Sequence, residues 1–442
     1  MPMKTIDVYI PNLPQRTDRR ESILAQYANR KEFNLHLVEP VKDEVPEFSL
    51  WKTFIRAVRA EKEKGSEFFI FGEDDHAFTE IYNPDLLEEC IVEAQKEEAD
   101  TLSGGLGWFS DALQVSERLF WLNHFNAMQF TVVFQRFYDK ILHVAEAGNG
   151  FTLDWKISLV SDRNFCIYPP ISRQLEFGYS DVTTPNGKEG FLDKAFADSN
   201  QRLGLLKKVG ARLLQETSEE EDIDVSDLQI PTYIINLPSR TDRKAHILQE
   251  FEGKPEFDVH LFKACERERG ADGLWLSIRE IIRQAKDNEE EVVLICEDDH
   301  TFTPSYDRAF FLRSVIEAGE QGCQMLSAGV GNFGDAIPVT HRRWWVSWLW
   351  CTQFIVIYSN AFEEILNAQF NEDDVADEFL SKILKNKQVL YPFMSIQKDF
   401  GYSDVTSSNN NKQGTITSLF KDADKRFENL NDAYAQCGSR KA

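Results

Sequence analysis

The sequence predicts an α/β fold laid out twice along one chain. Three observations carry that prediction. Polar strings of the first half recur in the second at a nearly constant offset. Short runs rich in β-branched and aromatic residues alternate with amphipathic helical stretches. In each half one fully apolar run leads directly into Glu-Asp-Asp-His.

Asn12-Leu13-Pro14-Gln15-Arg16-Thr17-Asp18-Arg19 returns as Asn236-Leu237-Pro238-Ser239-Arg240-Thr241-Asp242-Arg243, an offset of 224 residues (12 to 236). Glu73-Asp74-Asp75-His76 returns at that offset as Glu297-Asp298-Asp299-His300. So do Leu50-Trp51, as Leu274-Trp275, and Gln129-Phe130, as Gln353-Phe354. The string Phe177-Gly178-Tyr179-Ser180-Asp181-Val182-Thr183 returns at 400–406, one residue short of that offset. A period this long is too large for a solenoid and is the size of a domain. The predicted organisation is one domain at 1–206, a linker at 207–229, a second domain at 230–430 and a polar, frayed tail at 431–442. The linker carries the acidic run Glu219-Glu220-Glu221-Asp222.

Within each half the elements follow in order. Residues 7–10 and 232–235 read as first strands, each entering Asn-Leu-Pro and a polar turn. Residues 19–27 and 243–251 carry helical periodicity, and residues 50–64 and 274–286 are amphipathic helices. Residues 68–71 and 292–295 are continuous apolar runs, the pattern of a central strand buried on both faces. Ligands of such sheets bind at the carboxyl ends of strands, where the acidic string stands in both halves.

The formal net charge of -24 repels phosphate backbones and anionic membranes, so bulk nucleic-acid binding is not expected. A nucleotide remains possible where a divalent cation screens its phosphates. No apolar run approaches the ~20 residues that span a bilayer, and Met1 to Ile10 has no leader pattern. The seven cysteines form no CxxC and do not recur between halves, which predicts thiols, a cytoplasmic protein and no zinc site.

Three successive carboxylates at a strand exit repel one another, and a hard divalent cation is the simplest compensation. In extended backbone residues i and i+2 point the same way. Glu73 with Asp75, and Glu297 with Asp299, are therefore expected to face one metal site. The alternative is a solvated acidic turn. Asn12, Arg16 and Arg19, with Asn236, Arg240 and Arg243, follow the first strands. Arginine there suits a diphosphate or a base face, while Thr17 or Asp18, and Thr241 or Asp242, suit a helix cap. Both readings stand. Asp74, Asp298, Ser180 and Ser403 complete the candidate nucleotide contacts. In the third string, preceded by Gln174 or Gln397, Asp181 and Asp404 offer a further metal ligand or base, and a structural turn around Gly178 or Gly401 is the alternative.

Asp154 and Asp377 each precede a helical stretch and read either as an N-cap or as a general base held at a helix start. The glycine-rich stretches at 102–107 and 326–331 lack a following Gly-Lys-Ser/Thr, so they are not P-loops. Their small residues would admit a sugar to the backbone. Trp108, Trp121, Trp344, Trp345, Trp348 and Trp350 read as acceptor walls or as core.

In order and spacing these motifs resemble glycosyltransferase family 25, which includes bacterial lipooligosaccharide glycosyltransferases and collagen galactosyltransferases. The resemblance rests on a first strand entering Ile-Asn-Leu-x-x-Arg-x-Asp-Arg, here residues 235–243, on a strand entering Glu-Asp-Asp, and on a late Gln followed by Ser-Asp-Val. It spans most of both halves. Pro11, in place of the isoleucine, the fused second half, and His76 and His300 depart from the pattern. The resemblance implies two tandem GT-A type (Rossmann-like) domains, a UDP-sugar donor, Mn2+ (or Mg2+) and inversion at the anomeric carbon. On it Glu73, Asp75, Glu297 and Asp299 fall on the metal-binding motif, and Asp181 and Asp404 fall near metal and donor.

The expected activity is a metal-dependent glycosyltransferase that moves a sugar from a nucleotide-sugar to a saccharide acceptor in surface-polysaccharide synthesis, with Asp154 and Asp377 as bases. The rivals are one active domain beside a binding domain, a protein side chain or modified nucleobase as acceptor, and a non-catalytic carbohydrate-binding scaffold. A scaffold has no need of a metal-diphosphate site.

Overall fold

The computed structural model describes residues 5–126, 128–144, 152–178, 188–215, 224–401 and 414–438. Ser180, Asp181, Ser403 and Asp404 lie outside the described residues. The chain divides into two compact units, Met1–Lys208 with Asp432–Ala442, and Val209–Asn431.

The first unit contains strands β1 (Ile6–Pro11), β2 (Phe33–Val38), β3 (Phe68–Gly72), β4 (His76–Phe78), β5 (Thr101–Ser103) and β6 (Trp108–Phe109). They are followed by β7 (Ala112–Gln114), β8 (Leu119–Leu122), β9 (Phe125–Asn126), β10 (Phe130–Phe134), β11 (Asn164–Ile167) and β12 (Ser172–Gln174). Its helices are α1 (Thr17–Tyr27), α2 (Pro46–Lys64), α3 (Pro84–Lys96), α4 (Gln135–Leu142), α5 (Leu153–Val160) and, as far as Lys208, α6 (Phe191–Gln215). Eight strands form one mixed sheet in the order β2-β1-β3-β10-β5-β11-β8-β7. β1 runs parallel to β2 and β3, while β10 runs antiparallel to β3 and β5.

The apolar run at 68–71 becomes β3, near the middle of this sheet, and Phe69, Ile70 and Phe71 are fully buried. Each such side chain contributes roughly 1.5–3 kcal/mol through burial. α2 begins a turn before the expected Leu50 because Pro46 occupies the first helical turn, where its fixed φ suits a helix. It stops at Gly65, whose φ of 69° closes the last turn. Trp51, Phe54, Ile55 and Val58 make its buried stripe.

The second unit contains β13 (Ile230–Asn236), β14 (Phe257–Lys263), β15 (Val292–Glu297), β16 (His300–Phe302), β17 (Met325–Ser327) and β18 (Asn332–Phe333). Then come β19 (Ala336–Thr340), β20 (Arg343–Val346), β21 (Leu349–Trp350), β22 (Phe354–Tyr358), β23 (Lys387–Leu390) and β24 (Ser395–Gln397). Its helices are α7 (Thr241–Glu250), α8 (Gly270–Asp287), α9 (Arg308–Glu320), α10 (Ser359–Asn367), α11 (Ala376–Ile383) and, as far as Asn431, α12 (Thr415–Gly438). The sheet order, β14-β13-β15-β22-β17-β23-β20-β19, repeats that of the first unit strand for strand.

Three expectations change. Residues 431–438 are not a frayed tail, because α12 runs through them and Cys437 is buried. α6 runs to Gln215, past the expected boundary at 206. The glycine-rich loops serve chain packing: a Cβ on Gly105 would lie 2.1 Å from the Ser172 carbonyl oxygen, and one on Gly329 would lie 1.9 Å from that of Ser395.

Pro11 leaves a visible mark. β13 pairs with β15 as far as Ile235 and Glu297, whereas β1 pairs with β3 only as far as Tyr9 and Phe71. Proline has no N–H to continue a ladder. No helix among the described residues is long and apolar enough to cross a membrane.

Candidate active site

Both acidic strings leave a central strand and are pinned from three sides. The Glu73 N–H donates to the Gln129 carbonyl at 3.3 Å, and the Glu297 N–H to that of Gln353 at 3.0 Å. The histidine that follows is a core residue. His76 Nδ1 lies 2.9 Å from the Ser172 hydroxyl, and His300 Nδ1 lies 2.8 Å from that of Ser395. Burial among Phe78 and Phe130 pushes the His76 pKa down to about 3, so the ring is neutral and anchors the turn.

The middle carboxylate ties the first motif to the acidic string. Asp74 accepts from Asn12 Nδ2 at 2.9 Å and from Arg19 Nη1 at 2.8 Å. Asp298 accepts from Asn236 at 2.7 Å and from Arg243 at 3.0 Å. Each arginine also reaches the third carboxylate, Arg19 to Asp75 at 3.1 Å and Arg243 to Asp299 at 3.2 Å. Phe177 and Phe400, from the third string, lie over these guanidinium groups at 5.0 and 4.8 Å. Arg16 and Arg240 are the N-cap residues of α1 and α7, and neither helix has a side-chain cap. Thr17, Asp18, Thr241 and Asp242 thus begin the helices rather than cap them.

The outer carboxylates form a pair in each unit. Gln174 Nε2 donates to Glu73 at 3.0 Å and to Asp75 at 3.4 Å. In the second unit Gln397 donates to Asp299 at 3.1 Å, and the Thr352 hydroxyl donates to Glu297 at 2.7 Å. Asp299 Oδ1 is buried with no hydrogen-bond partner among the described residues. Burial and the Asp299 charge push the Glu297 pKa up to about 8. Glu73 is raised well above the usual range by burial, then by Asp75 and Asp154. Asp75 and Asp299 are raised to about 6 by burial, against the pull of Arg19 and Arg243. The carboxylates are therefore poised to gain a positive partner.

Among the described residues no group of three or more His, Cys, Asp or Glu side chains is arranged to hold an ion. The pairs fit a magnesium-like ion that takes one or two carboxylates and completes its shell with phosphate oxygens and water. The orphaned Asp299 oxygen makes that fit most direct in the second unit.

In the first unit a cleft of about 1240 Å³ brings Arg19, Glu73, Asp74, Asp75, Asp154 and Gln174 together. Arg16 and Asn12 do not line it. Asp154 is not the N-cap of α5, which is Thr152. Its Oδ1 accepts from the Thr152 hydroxyl and from the Trp155 N–H. Asp377 is not a cap either, since Val375 holds that place in α11. It accepts from the Cys351 and Glu378 N–H groups, both at 2.9 Å, and burial raises its pKa. Trp121, Trp344 and Trp345 are core, whereas Trp108 and Trp348 are exposed and Trp350 is half-buried.

Gln174, Gln397, Phe177, Phe400 and Thr352 were absent from the candidate set. The glutamines and phenylalanines carried a signal, because both recur between halves. Thr352 carried none, because its counterpart is Met128.

No known family description matches this sequence, and no curated protein does. Solved structures similar to it include a glycosyltransferase involved in the glycosylation of the major capsid of PBCV-1, at 12% identity and TM-score 0.26, covering 46% of this chain and 100% of that one. A UDP-glucose pyrophosphorylase complexed with UDP-glucose is similar at 11% identity and TM-score 0.27, covering 45% and 82%. A mannosyltransferase from Pyrobaculum calidifontis, in complex with GDP-Man and Mn2+, is similar at 13% identity and TM-score 0.24, covering 44% and 66%.

Proposed function

We propose that the chain is a tandem glycosyltransferase, two GT-A type copies of the family 25 kind, using a UDP-sugar and Mn2+ (or Mg2+) and inverting the anomeric carbon. The observation that carries this reading is the repeated constellation. In each unit a carboxylate pair stands at a strand end, and its buried aspartate, Asp75 or Asp299, is held by one arginine and one glutamine. In the first unit Asp154 lines the same cleft as Glu73, and in each unit the charge of the aspartate at a helix start raises the pKa of the strand-end glutamate.

Glu73 with Asp75, and Glu297 with Asp299, would hold the ion. Bound there, it offsets the charge that develops on the departing diphosphate. Arg19 and Arg243 fix the third carboxylate in place. Asp154 or Asp377 takes the proton of an acceptor hydroxyl as that oxygen bonds to the anomeric carbon. The bond from that carbon to the diphosphate breaks, and the electron pair leaves with the nucleoside diphosphate. The acceptor we propose is a saccharide of a surface polysaccharide, and the setting is cytoplasmic.

The test is an assay for nucleoside diphosphate release and for the glycosylated product, with wild-type chain, Asp75→Ala and Asp299→Ala. Loss of one product with each variant is expected. Products unchanged in both variants would refute the reading. If only Asp299→Ala matters, the first unit is a binding module, a second reading favoured by its shortened β1–β3 ladder.

A further inference from the structure

Two tryptophans face solvent in the first unit without serving its core. Trp108 on β6 is 40% exposed and Trp155 on α5 is 36% exposed. Their rings are nearly parallel, 22° apart with centroids at 6.1 Å, and His124 stands 5.0 Å from Trp155. Large apolar rings left in water at one place mark a contact surface rather than packing. Both rings line the cleft that contains Asp154. Trp155 is the next residue along, and its N–H donates to Asp154 Oδ1 at 2.9 Å. Platform and carboxylate therefore share one helix start.

We propose that Trp108 and Trp155 form a saccharide subsite of the first unit that takes an uncharged pyranose. The C–H face of a pyranose is apolar and lies against an indole, while its hydroxyls need acceptors at the edge. Asp154, which also lines the cleft, supplies one. Seven acidic side chains against three basic ones line this cleft, so a uronic or sialic acid is repelled. The second unit has Asn332 on β18 and Glu378 on α11 at the matching positions. The subsite therefore belongs to the first unit alone. The bound sugar's role as acceptor rests on the transferase reading; its binding does not.

The test uses the full chain, with saturation-transfer NMR and calorimetry. The probes are methyl α-glucoside, lactose and N-acetylglucosamine, with glucuronate as the charged comparison. At least one neutral probe is expected to bind. Trp108→Ala and Trp155→Ala should each weaken it about tenfold, the scale of one ring contact. Trp155→Phe should restore most of the affinity, and Trp348→Ala should change nothing. Circular dichroism confirms folding of each variant. Neutral sugars that bind both alanine variants unchanged, fail to bind wild type, or bind less well than glucuronate would overturn the subsite. UDP with Mn2+ is titrated into the same wild-type sample. Failure of UDP to bind counts against the transferase reading and leaves the saccharide result to be judged by itself.

Discussion

In the first unit one glutamine amide spans both outer carboxylates, and Met128 stands where the second unit has Thr352. In the second unit the threonine hydroxyl takes Glu297, the glutamine turns to Asp299 alone, and an Asp299 oxygen is left buried without a partner among the described residues. The acidic string and its arginine clamp are the same in both. Neighbours contributed by other segments, Thr352 or Met128 from the loop before β22 or β10 and the glutamine from β24 or β12, decide how many lone pairs remain for a ligand. An identical motif thus sits in two states of readiness, with the second unit the more open to a cation.

Asp299→Asn should reduce the transfer attributed to the second unit by about 10³-fold, the scale of losing one charge-stabilising group. Asp75→Asn should reduce the first unit's transfer by less. Initial rates of the two products decide this, and a larger loss from Asp75→Asn would reverse the comparison. Arg19→Met and Arg243→Met should each cost about 3 kcal/mol, because each leaves the buried Asp75 or Asp299, and the neighbouring Asp74 or Asp298, without their cation. Equal shifts in denaturant unfolding would show that the clamp is common to both units. Unequal shifts would show that it has diverged as well.

A smaller contrast lies on β11 and β23. Asn164 on β11 bonds to the Thr101 hydroxyl at 2.7 Å and to the Ser161 carbonyl at 2.8 Å. Its counterpart Lys387 is buried, and burial lowers its pKa to about 8. Between pH 8 and the ordinary lysine value of 10.5, the unfolded chain binds more protons than the folded one. Stability of the second unit should therefore rise with pH across that window, by about 2 kcal/mol. Lys387→Met should abolish the rise in unfolding free energy measured at pH 8 and pH 10. The smallest effect is at Pro11. Pro11→Ile should extend the β1–β3 ladder and stabilise the first unit by about 1 kcal/mol, one ladder hydrogen bond. No gain in unfolding free energy would mean that the shorter ladder has another cause.

Local pattern made much of this legible. The first strands, the central strands and the strand-end position of the acids follow from β-branched and apolar runs with abrupt polar ends. Side-chain roles set by distant contacts were not legible. Asp74 meets Asn12 and Arg19 across more than fifty residues, so its use inside the chain has no local trace. The glycines at 105 and 329 look like ligand-loop residues until the Ser172 and Ser395 backbones are seen against them. Exposure separates Trp108 from Trp121, and no composition or spacing encodes it.

The most direct measurement is calorimetric titration of UDP-, GDP-, CMP- and dTDP-sugars into the full chain, with and without Mn2+. One UDP-sugar is expected to bind only with Mn2+, at two sites per chain, the tighter of which is lost in Asp299→Asn. Folded protein that binds none of these donors in the presence of Mn2+ would contradict the transferase assignment for both units.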